Sequence, residues 1–213
     1  WDTTFEDVMD LIARLPVVAA YIYRKNFKDG KFIPPDPNLD WAANFAHMMG
    51  YDQEDIYRLF RMYMMIHADH EGGNVSAHAT HLVGSALSNP YYSYAAGMLG
   101  LAGPLHGYAN QEAINWIFEM QEEIGVSESE EEERSKIEAY VRKTISSGQV
   151  VPGYGHAVLR VTDPRFTAQQ IFAKKYVEKD SLIDTVNHLY DIVPPILQSL
   201  GKIKNPWPNV DAF

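Results

Sequence analysis

Apolar side chains recur every three or four residues along most of this chain, a spacing that places them on one face of an α-helix. In the first segment, five of them share such a face: Phe5, Val8, Met9, Ile12 and Leu15. The sequence shows no convincing alternation of apolar and polar residues, which would be typical of a half-buried strand. The pattern therefore predicts an all-α fold.

Prolines and capping residues predict where the helices begin and end. The expected helices cover residues 4–15, 16–27, 41–49, 53–67, 74–88, 91–103, 107–124, 127–146 and 181–200, with a further helix from Pro164. The expected start signals are the N-caps Asp40, Asp52 and Asp163, the first-turn proline Pro16, and the capping box of Ser127 with Glu130. Two of the helices, 74–88 and 91–103, are rich in small residues, so we expect their backbones to pack closely.

Composition narrows the classes of protein that are compatible with this pattern. The 213 residues include no cysteine, which excludes disulfides and thiolate zinc sites. A net charge of −10 disfavours nucleic acid and anionic membranes as partners. No apolar run reaches the roughly 18 residues of a membrane span. The chain does not begin with Met, so we expect it to be a piece of a longer protein that lacks any targeting segment.

Four histidines lie in the stretch IHADHEGGNVSAHATHLVGSALS. None of them is four residues from another, and the zinc motif HExxH is absent, so a metal site is disfavoured. For His67, His78 and His81 the alternative is a polar role inside a tight helix interface. His70 differs because it stands just before a Gly-Gly pair, where a loop would let a ligand approach the backbone.

His106 lies in the turn sequence GLAGPLHGYANQE, directly before a predicted helix. Two interpretations of this position stay open. In the first, the histidine caps the turn. In the second, the helix dipole keeps the imidazole neutral, so that its N–H donates to an oxygen on which negative charge develops.

The stretch VVPGYGHAVLRVTDPR combines a tight loop of Pro and Gly with a histidine and two arginines. The loop exposes backbone groups but lacks the GxxxxGK[ST] pattern of a phosphate loop. His156 follows it directly. Arg165 lies in the first turn after Asp163, where its guanidinium either forms two hydrogen bonds to a carboxylate or makes a surface salt bridge.

Near the end of the chain, KIKNPWPNVDAF places Asp211 on a segment that two prolines stiffen. Asp211 has no evident capping task and stands between Val210 and Ala212. We expect apolar surroundings that raise the pKa of this carboxyl group toward the range of a general base.

In this order, the four segments resemble the distinctive motifs of the citrate synthase family, closest to its mitochondrial eukaryotic type. The likeness runs along essentially the whole chain. Three features depart from the family pattern: the acidic stretch at residues 127–134 is slightly longer than expected, Leu99 stands where Asn is expected, and Phe213 stands where His is expected. None of these departures removes a catalytic position.

The resemblance implies a two-domain helical fold that is incomplete in this chain. Residues 1–106 would be part of the large domain, including helices of a dimer interface, and residues 107–213 would be the small domain. It also implies a homodimer in the mitochondrial matrix. The family's N-terminal part and two further substrate-binding arginines beyond Phe213 are absent from the chain, so we expect residues 1–213 alone to be inactive.

By the same resemblance, the reaction condenses acetyl-CoA with oxaloacetate and hydrolyses the thioester to citrate and CoA. Asp211 would take a proton from the acetyl methyl group, His106 would donate a hydrogen bond to the thioester oxygen, and His156 would polarise and protonate the oxaloacetate carbonyl. His70 and Arg165 would hold oxaloacetate. The expected CoA-binding residues are Val150, Val151, Gly153, Gly155, Arg160, Lys202, Lys204 and Asn209. No metal or cofactor is implied, since the CoA thioester is a substrate.

Three alternatives stay open at this point. A 2-methylcitrate synthase, which uses propionyl-CoA, shares all of these motifs, and one methylene is worth only about 1–3 kcal/mol of discrimination. The second alternative is a structural or filament subunit that reuses the fold. The third is a histidine-rich metal binder.

Overall fold

The computed structural model describes residues 1–69, 71–156, 158–201 and 203–213. These residues form helices and connecting loops, and the only β-type pairing among them is an isolated bridge between Tyr154 and Pro208. The predicted all-α fold is confirmed. The chain divides into two compact units, Trp1–Leu101 and Ala102–Phe213. The assignment of a large and a small domain that meet at residue 106 stays a prediction.

Nine α-helices and one short 3₁₀ helix lie within the described residues. The first unit contains α1 (Asp2–Phe27), α2 (Trp41–Met49), α3 (Glu54–Ile66), α4 (Val75–Ser85) and α5 (Pro90–Leu101). The second contains α6 (Ala109–Ile124), α7 (Glu130–Ser146), α8 (Pro164–Tyr176), α9 (Ser181–Ser199) and the 3₁₀ helix Val210–Ala212. In the part of the chain that the structure describes, no helix is both long and apolar enough to cross a membrane.

A single helix, α1, replaces the two helices that the sequence predicts over residues 4–27. Pro16 lies inside α1 rather than at the start of a second helix, so this prediction was wrong. Because proline has no N–H, the backbone oxygen of Ile12 loses its helical partner. Trp41 supplies a donor there, since its indole Nε1 lies 3.2 Å from Ile12 O. This bond compensates for the proline, and the helix continues past it.

The expected N-caps Asp40 and Asp163 are confirmed. The Asp40 carboxylate accepts hydrogen bonds from two backbone N–H groups in the first turn of α2. The Asp163 carboxylate accepts one such hydrogen bond, from Arg165 N in the first turn of α8. Each carboxylate therefore satisfies N–H groups that have no partner within their own helix.

The cap predicted for α3 is wrong. Gln53 occupies the N-cap position and makes no capping hydrogen bond with its side chain. Asp52 instead accepts a hydrogen bond from Tyr57 Oη at 2.9 Å and pairs with His47 Nδ1 at 2.6 Å. The carboxylate of Asp52 thus bonds to one residue of α2 and one residue of α3, and these bonds take the place of the capping role that the sequence predicts.

The start of α7 is shifted by two residues from its prediction. Ser129, rather than Ser127, is the N-cap, and its Oγ accepts from Glu132 N at 3.2 Å. Glu132 in turn accepts from Glu128 N at 2.8 Å through Oε2. The Ser-x-x-Glu spacing occurs twice in this stretch, so the pattern alone does not select the register. The acidic residues lie in the first turn, as expected from the helix dipole.

In the first unit, α4 and α5 pack closely through small residues. A Cβ on Gly97 of α5 would overlap Thr80 Oγ1 and would lie 3.1 Å from Ser76 O, both on α4. Only glycine allows the two backbones to approach this closely. A separate small cluster between α2 and α3 consists of Ala43, Ala46 and Tyr57.

The second unit has the larger apolar core. Its buried members come from all four helices, from the loop after α7 and from the 3₁₀ helix: Trp116, Ile117, Met120, Ile137, Val141, Val151, Phe166, Val186, Leu189, Val193, Ile196, Leu197 and Ala212. In this unit α7 packs against α9, and α6 packs against both α7 and the 3₁₀ helix. The core therefore supports the loop after α7 and the 3₁₀ helix, which both carry candidate site residues.

Candidate active site

The loop after α7 lies directly against the 3₁₀ helix. Gly153 in this loop has φ +77°, and a Cβ added there would lie 2.7 Å from Ala212 Cα. Both the backbone conformation and the close approach therefore require glycine. The backbone N–H of Asn209 donates to Gly153 O at 2.8 Å, which joins the loop to the segment before the 3₁₀ helix.

Gly155 is held at both of its backbone polar groups. Its N–H donates to Trp207 O at 3.0 Å, and its carbonyl oxygen accepts from Asn209 Nδ2 at 3.0 Å. The residue before His156 is thus fixed to the C-terminal segment.

The ring of His156 has a defined hydrogen-bonding state. Its Nδ1 accepts from the backbone N–H of Val158 at 3.0 Å and of Leu159 at 2.9 Å. An imidazole nitrogen that accepts two N–H groups carries no proton, so the neutral ring is protonated at Nε2. The proton of the neutral ring is therefore on Nε2, the nitrogen opposite the one that the loop backbone binds.

Tyr154 anchors the loop in the core of the second unit. Its ring packs against the buried cluster, and its Oη is buried without a hydrogen-bond partner in the described residues. Burial strongly raises the pKa of this phenol. The phenol therefore stays neutral, and the side chain serves as an apolar anchor.

Asp211 lies in the middle of the 3₁₀ helix Val210–Ala212 and is half-buried. Its backbone N–H donates to Asn209 Oδ1 at 2.9 Å, so Asn209 caps this helix. Gln169 of α8 donates from Nε2 to Val210 O at 3.3 Å. The candidate base is therefore carried by a short turn that is bound on both sides.

Arg165 and Asp163 form a buried pair at the start of α8. Nε and Nη2 of Arg165 lie between 2.7 and 3.2 Å from the two Asp163 carboxylate oxygens, and the side chains are 16% and 1% exposed. Burial acts to raise the pKa of Asp163, but the hydrogen bonds and charge of Arg165 outweigh it and hold that pKa below its ordinary value of 3.8.

Sequence reasoning missed Asp163 as the partner of Arg165. It assigned Asp163 only to capping, and it left open whether Arg165 binds a carboxylate or forms a surface pair. The signal was present, since an N-cap Asp two residues before an Arg places both groups in one turn. The Asp163 N–H also donates to Pro208 O at 3.1 Å, which joins α8 to the C-terminal segment.

His106 lies in the turn before α6, but the helix begins later than expected. α6 starts at Ala109, and Tyr108 occupies the N-cap position without a side-chain hydrogen bond. The backbone of His106 accepts from Ala109 N at 2.9 Å and donates to Gly103 O at 3.0 Å. The turn thus fixes the backbone of His106, and α6 connects this turn to the 3₁₀ helix against which it packs.

The expected CoA-binding residues differ in their surroundings. Val150 is 75% exposed, whereas Val151 is buried in the core. Arg160 donates from Nη1 to the carbonyls of Val158 and Leu159 at 2.9 and 2.7 Å, so its guanidinium folds back on its own loop. Lys204 is exposed. The predictions for His70 and Lys202 lie outside the described residues.

Within the described part of the first unit, His67 contacts an aromatic ring and a backbone oxygen rather than other metal-ligating side chains. His67 lies over the ring of Tyr63 at 4.1 Å, and its Nδ1 is 2.8 Å from Tyr63 O. Among the residues that the structure describes, no group of three or more His, Asp or Glu side chains is arranged to hold a metal ion.

Comparison with known proteins gives the class of this protein. The family profile described as "Citrate synthase, C-terminal domain" matches residues 1–213. The chain therefore belongs to the citrate synthase family, as its motifs predict.

Its relatives include mitochondrial members of that family. Citrate synthase 5 of Arabidopsis thaliana is 59% identical over 212 residues, which are 100% of this chain and 45% of the relative. The mitochondrial citrate synthase of Saccharomyces cerevisiae is 55% identical over 212 residues, or 43% of its length. The expected likeness to the mitochondrial eukaryotic type is confirmed. The chain spans less than half the length of these curated relatives.

Solved structures of citrate synthases share the fold. The Pyrobaculum aerophilum enzyme superposes with a TM-score of 0.78 at 32% identity, covering 99% of this chain and 50% of that one. The Thermotoga maritima enzyme gives a TM-score of 0.80 at 25% identity, covering 100% and 55%. The expected citrate-synthase-like helical fold is thus confirmed.

Proposed function

We propose that the chain forms the part of a citrate synthase that carries its reacting groups, condensing acetyl-CoA with oxaloacetate and then hydrolysing the thioester. The observation that carries this proposal is the hydrogen-bonding state of His156. Two backbone N–H groups bind its Nδ1, so the neutral ring carries its proton on Nε2. Such a donor can polarise a ketone without adding a net charge to the site.

In the first step, the Asp211 carboxylate removes a proton from the acetyl methyl group. The electron pair of that C–H bond forms the C=C bond of an enolate, and His106 donates a hydrogen bond to the thioester oxygen as it becomes more negative. Support comes from the two backbone positions. Asp211 lies on a capped 3₁₀ turn and His106 on a hydrogen-bonded turn before α6.

In the second step, the carbon of the enolate attacks the keto carbon of oxaloacetate and forms the new C–C bond. His156 Nε2–H donates to the keto oxygen and delivers its proton as the carbonyl π bond breaks, and the ring regains a proton from water in the hydrolysis that follows. Water then hydrolyses the citryl thioester to citrate and CoA. Closure of the domains would exclude water until the condensation is complete.

Arg165 and His70 would hold oxaloacetate. Asp163 fixes Nε and Nη2 of Arg165 and leaves Nη1 for a substrate carboxylate. A guanidinium that a buried partner orients in advance loses little side-chain entropy when it binds. His70 is assigned to this role by its place in the family motif.

CoA would bind along the loop of residues 150–156. The exposed Val150 and the Gly-containing backbone support contact with an adenine edge. Positive charge for the CoA phosphates would come from Arg160, Lys202 and Lys204. The CoA thioester is a substrate, and the proposed chemistry needs no metal or redox cofactor.

At the level of assembly, we infer a homodimer in the mitochondrial matrix. Residues 1–106 would belong to the large domain, with α4 near the two-fold axis, and residues 107–213 would form the small domain. The mitochondrial relatives and the exposed apolar side chains of α4 support this assignment.

The test uses a chimera, because the chain spans only part of its relatives' length. Residues 1–213 replace the matched segment of the Saccharomyces cerevisiae relative, which serves unsubstituted as the positive control. Release of the CoA thiol is followed with oxaloacetate and either acetyl-CoA or propionyl-CoA. We expect a clear preference for acetyl-CoA. A preference for propionyl-CoA would indicate a 2-methylcitrate synthase, and a folded chimera without turnover would refute the proposal.

Two substitutions in the chimera test the individual roles. Asp211→Asn removes the base, so solvent exchange of the acetyl methyl protons in the presence of an oxaloacetate analogue should be suppressed. His106→Ala should lower kcat by about 10²–10³-fold, the usual effect of one oxyanion donor, without weakening oxaloacetate binding. Undiminished proton exchange would assign the base elsewhere, and lost oxaloacetate binding would contradict the role of His106.

A further inference from the structure

Asn209 connects two segments that carry reacting groups. Its backbone N–H and its Nδ2 donate to Gly153 O and Gly155 O at 2.8 and 3.0 Å, and its Oδ1 accepts from Asp211 N at 2.9 Å. One side chain therefore binds both the residue before His156 and the backbone of Asp211.

We propose that Asn209 is a positioning residue that holds His156 and Asp211 in one rigid frame, an inference that rests on the proposed function. The sequence suggests Asn209 only as a CoA ligand. In the structure its amide donor and its amide acceptor are both engaged within the protein.

The segment before Asn209 is suited to such a frame because it is itself anchored. Trp207 O accepts from Gly155 N at 3.0 Å, and Pro208 O accepts from Asp163 N at 3.1 Å. Asn205 and Pro208 are buried, and Asn205 Oδ1 accepts from Trp207 N at 3.1 Å. These bonded and buried neighbours therefore restrict any movement of Asn209.

The frame matters chemically because the two groups act on different substrates. Asp211 generates the carbon nucleophile from one substrate, and His156 activates the carbonyl of the other. Bond formation requires these two substrates to meet in a near-attack geometry, and a misplacement of about 1 Å costs on the order of 100-fold in rate.

Three variants of the chimera separate the contacts. Asn209→Ala removes both side-chain hydrogen bonds. Asn209→Ser keeps a short acceptor that can cap Asp211 N but does not reach Gly155 O. The matched control is Asn187→Ala, because Asn187 Oδ1 is also part-buried and accepts a hydrogen bond, from Gln170 Nε2 of α8 at 2.9 Å, away from the loop.

The kinetic readout separates positioning from ligand binding. We expect Asn209→Ala to lower kcat by about 100-fold, with the KM for acetyl-CoA changed by less than about threefold. Asn209→Ser should recover part of that loss, and Asn187→Ala should keep the unsubstituted kcat. A raised KM for acetyl-CoA with unchanged kcat would make Asn209 a CoA ligand and overturn the proposal. If Asn187→Ala lost as much kcat as Asn209→Ala, the effect of Asn209 would be one of general stability, and the proposed positioning role would be overturned.

Amide hydrogen exchange of the same chimeras tests the frame independently of turnover. Asn209→Ala should accelerate exchange in peptides that cover both residues 152–156 and residues 208–213, whereas Asn209→Ser should accelerate mainly the first. Unchanged exchange in either peptide of Asn209→Ala would overturn the frame. If the unsubstituted chimera shows no turnover, the proposed function fails, and the exchange data still decide whether Asn209 joins the two segments.

Discussion

At the scale of single residues, the buried pair of Asp163 and Arg165 shows how one turn prepares a binding group. The Asp163 carboxylate caps α8 and orients the Arg165 guanidinium at the same time. Its depressed pKa means that the charged form is the one that the fold stabilises. A group of this kind contributes stability above its unfolded pKa and loses that contribution as the pH falls through its folded pKa.

We predict that Asp163→Asn lowers the free energy of unfolding at pH 7 by about 3 kcal/mol, because Arg165 keeps a buried charge without its partner. Below the ordinary pKa of 3.8, the unsubstituted chain should lose stability more steeply than the variant, so that the two curves converge at low pH. Urea denaturation between pH 2.5 and 7 measures both effects.

The matched control for this prediction is Asp191→Asn. Asp191 pairs with Arg134 at 3.2 Å, but its side chain is 57% exposed. An exposed pair contributes little, so this variant should change the free energy of unfolding by less than about 1 kcal/mol. Equal losses in the two variants would contradict the special role of the buried pair.

The cap and the proximity of Asp163 to Arg165 could be predicted from the sequence, whereas the burial of this pair could not. An Asp before Pro164 is a local helix signal, and local signals need only neighbouring residues. The burial of Asp163 depends on Pro208 and on the core of the second unit, which lie far away along the chain. The frame that Asn209 forms was also missed, because it joins residues that are far apart along the chain. Irregular segments of this kind carry no periodic pattern.

At the scale of elements, the contact between α4 and α5 depends on one glycine. The backbone oxygen of Ser76 lies behind Gly97 and cannot move without breaking α4, and Thr80 Oγ1 is bound to that same oxygen at 2.8 Å. Gly100 differs, because a Cβ there would approach Cγ1 of the exposed Val75 at 2.9 Å but would keep ordinary contact distances of 3.5 and 3.6 Å to the Val75 backbone. The two glycines of α5 therefore have different tolerance for a methyl group.

We predict that Gly97→Ala lowers the free energy of unfolding by about 1–2 kcal/mol, because overpacking outweighs the gain in helix propensity. Gly100→Ala should cost less than Gly97→Ala, because its one tight contact is with an exposed side chain and the gain in helix propensity offsets it. Denaturant titration of both variants under one condition gives the comparison. A stabilising Gly97→Ala would show that α4 and α5 separate easily.

The helices themselves were predictable, whereas several of their ends were not. Apolar periodicity, capping residues, prolines and runs of small residues together indicated every segment that became an α-helix. Competing contacts decided the ends, as when Asp52 binds His47 and Tyr57 instead of capping α3. At α7 the sequence offers two equivalent registers, and the structure uses the second.

At the scale of the whole molecule, the first unit exposes many large apolar side chains. A groove of about 740 Å³ lies between α1 and the α4–α5 pair, with Val8 and Ile12 on one wall and Leu87 near the other. On α4, Leu82 is 63% exposed. Exposed apolar surface of this kind is typical of an interface between subunits.

We predict that the chimera sediments as a dimer at micromolar concentration and that Leu82→Glu shifts it toward monomer. A two-fold axis applies the substitution twice, so two carboxylates would enter one apolar contact. The control is Val126→Glu, at a position that is 95% exposed in the second unit, which should leave sedimentation unchanged. A monomeric unsubstituted chimera, or a fully dimeric Leu82→Glu, would contradict the proposed interface.

The bond between Trp41 and Ile12 has a consequence for how the first unit folds. A peptide of residues 2–27 alone would contain the proline but not the indole, so its hydrogen-bond ladder would be interrupted at the middle. In the folded unit, α2 therefore supplies to α1 a hydrogen bond that the isolated helix would lack. Formation of α1 and docking of α2 should accordingly be coupled events in a single cooperative folding step.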